Sequence, residues 1–185
     1  MMQLNLALTA ACFLTSCSAS WSHHRHQEKR ADVSLGQIYA FGANMSGTPV
    51  FFRHSVAYIG NLSLTGVSGT YATFTQENDT HLIAIPSDSS SWNASYLAIN
   101  ATSGAEDVAI LVADSNDASL STTGFMHYGA FIAWLADCGV LEMNWYAQKT
   151  DVIGVWALKW AADGWTTDIE NSYAIVLRTL STKAS

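Results

Sequence analysis

Leu141–Trp160 reads LEMNWYAQKTDVIGVWALKW and holds three of the chain's seven tryptophans. Two runs dense in aromatic and β-branched residues flank Gln148–Asp151, which has the polarity of a turn. The stretch predicts a β-hairpin, with the rest of the chain packed around it. Side chains alternate along a strand, so Trp156, Leu158 and Trp160 share one face, and Val155, Ala157 and Lys159 the other. On the first strand Leu141, Met143 and Trp145 oppose Glu142, Asn144 and Tyr146. A cross-strand ladder of indoles stabilises a sheet, which assigns Trp145, Trp156 and Trp160 to the core.

The same texture extends outward. Phe125–Asp137 (FMHYGAFIAWLAD) has partial helical spacing at Phe131, Trp134 and Leu135, but Gly129 and the aromatic content favour strand. Asp137-Cys138-Gly139 reads as a turn. Further strands are expected at Gln37–Phe41, Val50–Phe52, Ser55–Ile59, Thr70–Thr75, His81–Ile85, Tyr96–Ile99, Val108–Ala113 and Tyr173–Thr179, with a turn at Gly42–Pro49. About ten short strands, turn residues between them and no long helix predict an all-β fold. The expectation is an antiparallel β-sandwich, jelly-roll-like or another two-sheet arrangement, with a β-barrel as the alternative.

The chain has 185 residues, 49% of them hydrophobic and 12% charged, with a net charge of −7. That length suits one domain behind a leader. Leu4–Leu14 is an apolar run of signal-peptide length followed by small residues, so residues 1–20 are read as a signal peptide. Leu14-Thr15-Ser16-Cys17 also matches a bacterial lipoprotein cleavage box. Residues 21–30 (WSHHRHQEKR) end in the pair Lys29-Arg30 and are read as a pro-segment, leaving 31–185 as one domain. Its His23, His24 and His26 are read as solvated. Without residues 1–30 the net charge is −9. Such a surface repels nucleic-acid phosphates and anionic headgroups. No later segment has the roughly 18 apolar residues of a membrane span.

Asn44, Asn61, Asn78, Asn93 and Asn100 stand in N-x-Ser/Thr sequons, five of the eight asparagines after Arg30. Chance predicts roughly 1.6. The excess favours a glycosylated eukaryotic secretory protein, extracellular or cell-wall associated, over a bacterial lipoprotein. After residue 30 only Cys138 remains, so no internal disulfide is expected. All five sequons fall at or before Asn100 and five tryptophans lie after it, which raises the prospect of a glycan-bearing side and a bare aromatic side.

Candidate chemistry is sparse. Trp92 and Trp165 have polar, loop-like neighbours, and with Tyr146 at the hairpin rim they are the candidate residues for stacking on a glycan. Glu142 is the candidate catalytic carboxylate. Leu141–Trp145 resembles the nucleophile strand of some β-jelly-roll endoglucanases, where a Glu precedes a Met and a Trp, but Asn144 departs from that pattern. Retaining glycoside hydrolysis would also need a second carboxylate about 5–5.5 Å away. His54, His81 and His127 are isolated, no loop has Ca²⁺-ligand spacing, and no cofactor motif is present.

Gly36–Gly60 (GQIYAFGANMSGTPVFFRHSVAYIG) together with Leu141–Trp160 resembles a group of small secreted proteins of filamentous fungi. The shared features are an aromatic strand, a Ser-Gly-x-Pro turn, an Ala-Tyr-Ile-Gly segment and a Trp-Tyr-Ala … Gly-Val-Trp hairpin. The resemblance implies secretion and β architecture and no activity. The expected function is a non-catalytic secreted protein that binds an extracellular glycan or a cell surface through aromatic residues. The alternatives are a small glycoside hydrolase centred on Glu142 and an effector-like protein acting by protein contacts.

Overall fold

The computed structural model describes residues 32–42, 45–78, 80–88, 92–114, 119–164 and 171–180. The proposed signal peptide and pro-segment, Asn44 and Trp165 lie outside them. Among the described residues the chain forms β1 (Val33–Gly36), β2 (Ile38–Gly42), β3 (Met45–Arg53), β4 (Val56–Gly60), a one-turn helix α1 (Leu62–Thr65), β5 (Thr70–Glu77), β6 (His81–Pro86), β7 (Ser95–Asn100), β8 (Glu106–Val108) and β9 (Ile110–Val112). There follow β10 (Leu120–Ser121), β11 (Phe125–Tyr128), β12 (Phe131–Leu135), β13 (Leu141–Glu142), β14 (Trp145–Lys149), β15 (Val155–Ala161) and β16 (Ser172–Thr179). No helix among these residues is long and apolar enough to cross a membrane.

The fold is all-β and takes the barrel alternative. Ten antiparallel strands close a circuit in the order β2, β3, β5, β6, β7, β9, β4, β15, β14, β16 and back to β2. The pairing Val155↔Gly60, Trp156↔Ile59 and Ala157↔Tyr58 joins β15 to β4 and removes the free edges that a two-sheet sandwich keeps. Closure needs strands that bend. At Gly36, whose φ is +71°, the register against β5 shifts, so β1 follows β5 while β2 passes to β3 and β16. Ala109 acts likewise between β8 and β9: its N–H donates to Leu158 O and its carbonyl accepts from Ala57 N, each at 2.9 Å.

The hairpin at the centre of the sequence forms with Trp145↔Trp160 and Lys149↔Trp156 in register. Its turn lies at Thr150–Gly154 rather than Gln148–Asp151. The Thr150 hydroxyl organises it, donating to Val155 O at 2.8 Å and accepting from Val152 N at 3.2 Å. The chain also breaks at Met143–Asn144, so Leu141 and Trp145 belong to different strands. Trp145 and Trp160 are buried, with ring centroids 4.9 Å apart in a T-shaped pair. Phe125 stacks on Trp145 at 6.4 Å and Trp134 meets Trp160 edge-on at 5.9 Å. Each buried indole removes about 150–250 Å² from water, an upper bound of roughly 4–6 kcal/mol. Trp156 is half-buried against the same core.

Between β3 and β4 the two-residue turn His54–Ser55 has φ of 50° and 66° at both central residues. That is type I′ geometry, which suits a right-twisted hairpin but normally selects Asn or Gly. The predicted turn at Gly42–Pro49 is shorter than expected, because β3 already starts at Met45.

Candidate binding surface

Strands β11, β12 and β13 form a three-stranded antiparallel flap beside the barrel. Phe125 N donates to Thr80 O and Thr179 N to Ala130 O, both at 2.9 Å. Trp145 Nε1 donates to Ile132 O at 3.1 Å, and Phe131 pairs with Arg178 of β16. The flap's inner face carries Phe125, Ile132 and Trp134, packed on the core. Residues opposite one another across a ladder share a face. The outer face is therefore Met126 with Ala133, Tyr128 with Phe131, and Leu135 with Leu141, without a charged side chain among them.

That face continues onto the barrel. On β2 and β16 the residues Ile38, Ala40, Ile175, Leu177 and Thr179 point inward, so Tyr39, Phe41, Val176 and Arg178 point outward. The Arg178 guanidinium is sandwiched between the rings of Phe41 and Phe131, at 5.2 and 5.0 Å from their centroids. Its Nε is shut off from solvent with no acceptor. Two adjoining clefts share Ser34, Leu35 and Leu180. One, of about 260 Å³, is lined also by Val33, His127, Gly129, Ala130 and Thr179. The other, of about 450 Å³, is lined also by Gly36, Gln37 and Tyr39. In the first cleft His127 Nε2 lies 3.0 Å from Thr179 Oγ1, and burial lowers the imidazole pKa. Among the described residues, seven of the eleven exposed large apolar side chains lie on the flap or at these clefts: Val33, Tyr128, Leu135, Val140, Leu141, Met143 and Leu180.

Of the sequence candidates among the described residues, Tyr146 and Trp92 pack on the barrel and Glu142 stands on β13 of the flap. Tyr146 is a correction: it is fully buried rather than at a rim. Its hydroxyl donates to Glu106 O at 3.2 Å and Lys159 covers its ring at 5.8 Å. Burial, then the charges of Glu106 and Asp107, push the phenol up to about 12. Trp92 lies outside the strands, in the loop-like setting expected of it. It is half-buried, with its ring edge-on to Phe52 at 5.7 Å, because the loop before β7 folds back onto the core.

Glu142 is half-buried and stands opposite Trp134. Burial first, and the charge of Asp163 second, raise its pKa from the ordinary glutamate value. Asp163, which sequence reading did not single out, is the carboxylate whose charge reaches Glu142. Both acids are engaged locally: Asn144 Nδ2 donates to Glu142 Oε2 at 3.0 Å, while Asp163 Oδ2 accepts from Ser103 Oγ at 3.1 Å and Gly104 N at 2.8 Å. These bonds tie the 102–105 turn to the end of β15, a structural employment for Asp163. It lines a shallow cleft of about 200 Å³ with Glu106 and the adjacent turn residues, without Glu142. Among the described residues no three His, Cys, Asp or Glu side chains converge as a metal site would require.

Asn61, Asn78 and Asn93 are exposed, and Asn100 is half-buried. Asn93 and Asn100 flank β7, and Asn61 caps α1 by accepting from Ser63 N at 3.0 Å. The separation of sequons from the aromatic face is incomplete, because the turn carrying Asn78 leads into Thr80, which anchors the flap. Cys138 is exposed in the turn between β12 and β13. No family model, no curated protein and no solved structure matches the chain.

Proposed function

We propose that the chain is a secreted, N-glycosylated, non-catalytic binding protein that engages an extracellular glycan through the outer face formed by β2, β16 and the flap. The observation that carries this reading is the position of the outward aromatic residues. Tyr39, Arg178, Phe131 and Tyr128 lie in one cross-strand row, with Phe41 next along β2 and two clefts beside it, whereas Trp145, Trp160 and Tyr146 are buried. A sugar ring has an apolar face that stacks on an aromatic plane and a hydroxyl rim that needs polar partners. Ser34, Gln37 and Tyr39 at the larger cleft supply both.

Tyr128 is 67% exposed, so its removal costs little packing and tests the surface directly. The glycosylated protein is applied to an array of neutral and acidic glycans, with Tyr128→Ala and, as control, Ile153→Ala in the β14–β15 turn. Selective binding that falls several-fold in Tyr128→Ala alone, at unchanged thermal unfolding, is the expected result. Absence of glycan binding by the wild type, or equal binding by Tyr128→Ala, refutes the reading.

A second reading draws on the flap tip, where Leu135, Val140, Leu141 and Met143 are exposed aliphatic groups that suit a protein contact better than a sugar. It predicts that Leu141→Asp, and not Tyr128→Ala, abolishes attachment to a cell-surface preparation.

A further inference from the structure

Arg178 is out of keeping with the rest of the chain. The protein carries fifteen acidic residues against eight basic ones, yet among the described residues no carboxylate pairs with this guanidinium and no hydrogen bond engages it. Its Nε is buried without an acceptor, an arrangement that costs free energy unless something offsets it. The two phenyl faces hold the group in place and remove the rotamer freedom that an exposed arginine would lose on binding. Arg178 is only half-buried, which leaves its Nη edge as the part open to a partner.

The surroundings narrow the partner. Tyr39 stands directly opposite Arg178 in the β2–β16 pairing and so shares its face, and Leu180 follows just after β16. Tyr39 and Leu180 also line the cleft of about 450 Å³, with Ser34 and Gln37. The Gln37 carbonyl already accepts from the Tyr39 hydroxyl at 2.7 Å, leaving its amide N–H groups as donors. The face thus offers one fixed cation, one aromatic edge and a few hydroxyl-compatible groups. A polyanion would be repelled by the acidic chain, whereas a single carboxylate matches the single arginine.

We infer that Arg178 and the adjoining cleft bind a six-membered ring bearing one carboxylate, the carboxylate meeting the guanidinium and the ring lying against Tyr39. This chemistry occurs both in a uronate at the end of a neutral glycan and in a hydroxylated aromatic acid. The inference rests on the reading of this face as a binding surface and names the charge that surface selects.

The full secreted, glycosylated chain is titrated with glucuronate, glucuronate methyl ester, glucose and 4-hydroxybenzoate by ligand-observed NMR. A charge-assisted hydrogen bond predicts that an acid binds about tenfold or more tightly than its neutral counterpart. Arg178→Met, which fills the space between the rings without a charge, is expected to erase that preference. Arg178→Lys is expected to retain part of it. Glucuronate ahead of 4-hydroxybenzoate identifies the sugar source, and the reverse order identifies the aromatic one. Equal binding of acid and ester, no binding of either acid, or an acid preference that survives in Arg178→Met overturns the inference. The array with Tyr128→Ala is read independently, so glycan binding can stand while the charge preference fails.

Discussion

Trp145 and Trp160 face each other across one hairpin, are about equally buried, each meet one further aromatic ring, and differ in their indole N–H. Trp145 Nε1 donates to Ile132 O at 3.1 Å, while Trp160 Nε1 finds no acceptor. Replacing each by Phe is therefore the same chemical change with two different consequences. Both variants lose comparable indole volume, and that cost cancels in the comparison. Trp145→Phe also loses a buried hydrogen bond, about 0.5–1.5 kcal/mol net. Trp160→Phe removes a buried donor that was costing roughly 1–3 kcal/mol. Trp145→Phe should thus be less stable than Trp160→Phe by about 1.5–4.5 kcal/mol. Urea unfolding followed by far-UV circular dichroism measures the difference, with equal slopes required so that both transitions report the same unfolded state. Equal stabilities, or a less stable Trp160→Phe, would refute the hydrogen-bond assignment. A loss of glycan binding in either variant at full stability would refute the placement of these indoles in the core.

Four further outcomes follow from the structure. Ser55→Gly relieves a positive φ of 66° in the I′ turn and should raise stability by about 1 kcal/mol, read from the urea midpoint; a lower midpoint would count against the turn assignment. The Glu142 carboxyl has a raised pKa, so the folded state binds its proton more tightly than the unfolded chain does. Its stabilising contribution is complete below the unfolded pKa and lost as pH rises through the folded one; Glu142→Gln should therefore outlast the wild type in urea at neutral pH and lose that advantage in acid. For His127, lowered from 6.5 by burial, the contribution is present above the unfolded pKa and lost as pH falls through the folded one, so His127→Gln should reduce the pH dependence of stability on the acid side of neutrality. Asn100 Nδ2 donates to Asp107 Oδ2 at 2.6 Å, using the nitrogen a glycan would occupy; peptide mass spectrometry is expected to find Asn61, Asn78 and Asn93 more fully modified than Asn100.

The hairpin, the strand character of Phe125–Asp137 and the core position of Trp145 and Trp160 were legible because alternation and turn chemistry are local. Gly139 marked the β12–β13 turn, whereas Phe125–Asp137, expected as one strand, is split into β11 and β12 at Gly129, each glycine having a positive φ. Closure was not legible, since it depends on β15 reaching β4 across roughly a hundred residues, and no short-range pattern encodes that pairing. Tyr146 was misplaced for a related reason. Alternation put it opposite the indoles, correctly outward from the ladder, but Lys159 and the β8 strand cover it from outside. Its polarity and position in sequence carry no trace of that cover. Asp163 escaped notice because its turn is bonded to Ser103 and Gly104, sixty residues away.

The aromatic face follows from the same closure. Tyr39 and Phe41 come from the second strand, Tyr128 and Phe131 from the flap, and Arg178 from the last strand. They become neighbours only because β16 pairs with β2 on one edge and with β12 on the other. Alternation alone marks Arg178 as outward within Ser172–Thr179, since Ile175 and Leu177 are buried. It does not reveal the two rings that clamp it. Two cation–π contacts, each worth about 0.5–1 kcal/mol at an exposed site, roughly offset the burden of an unpaired Nε and leave little net stability. A side chain held rigidly at nearly neutral energy is poorly explained by stability, because a plain apolar residue would fill the same gap at lower cost. It is better explained by a charge kept in position for a partner.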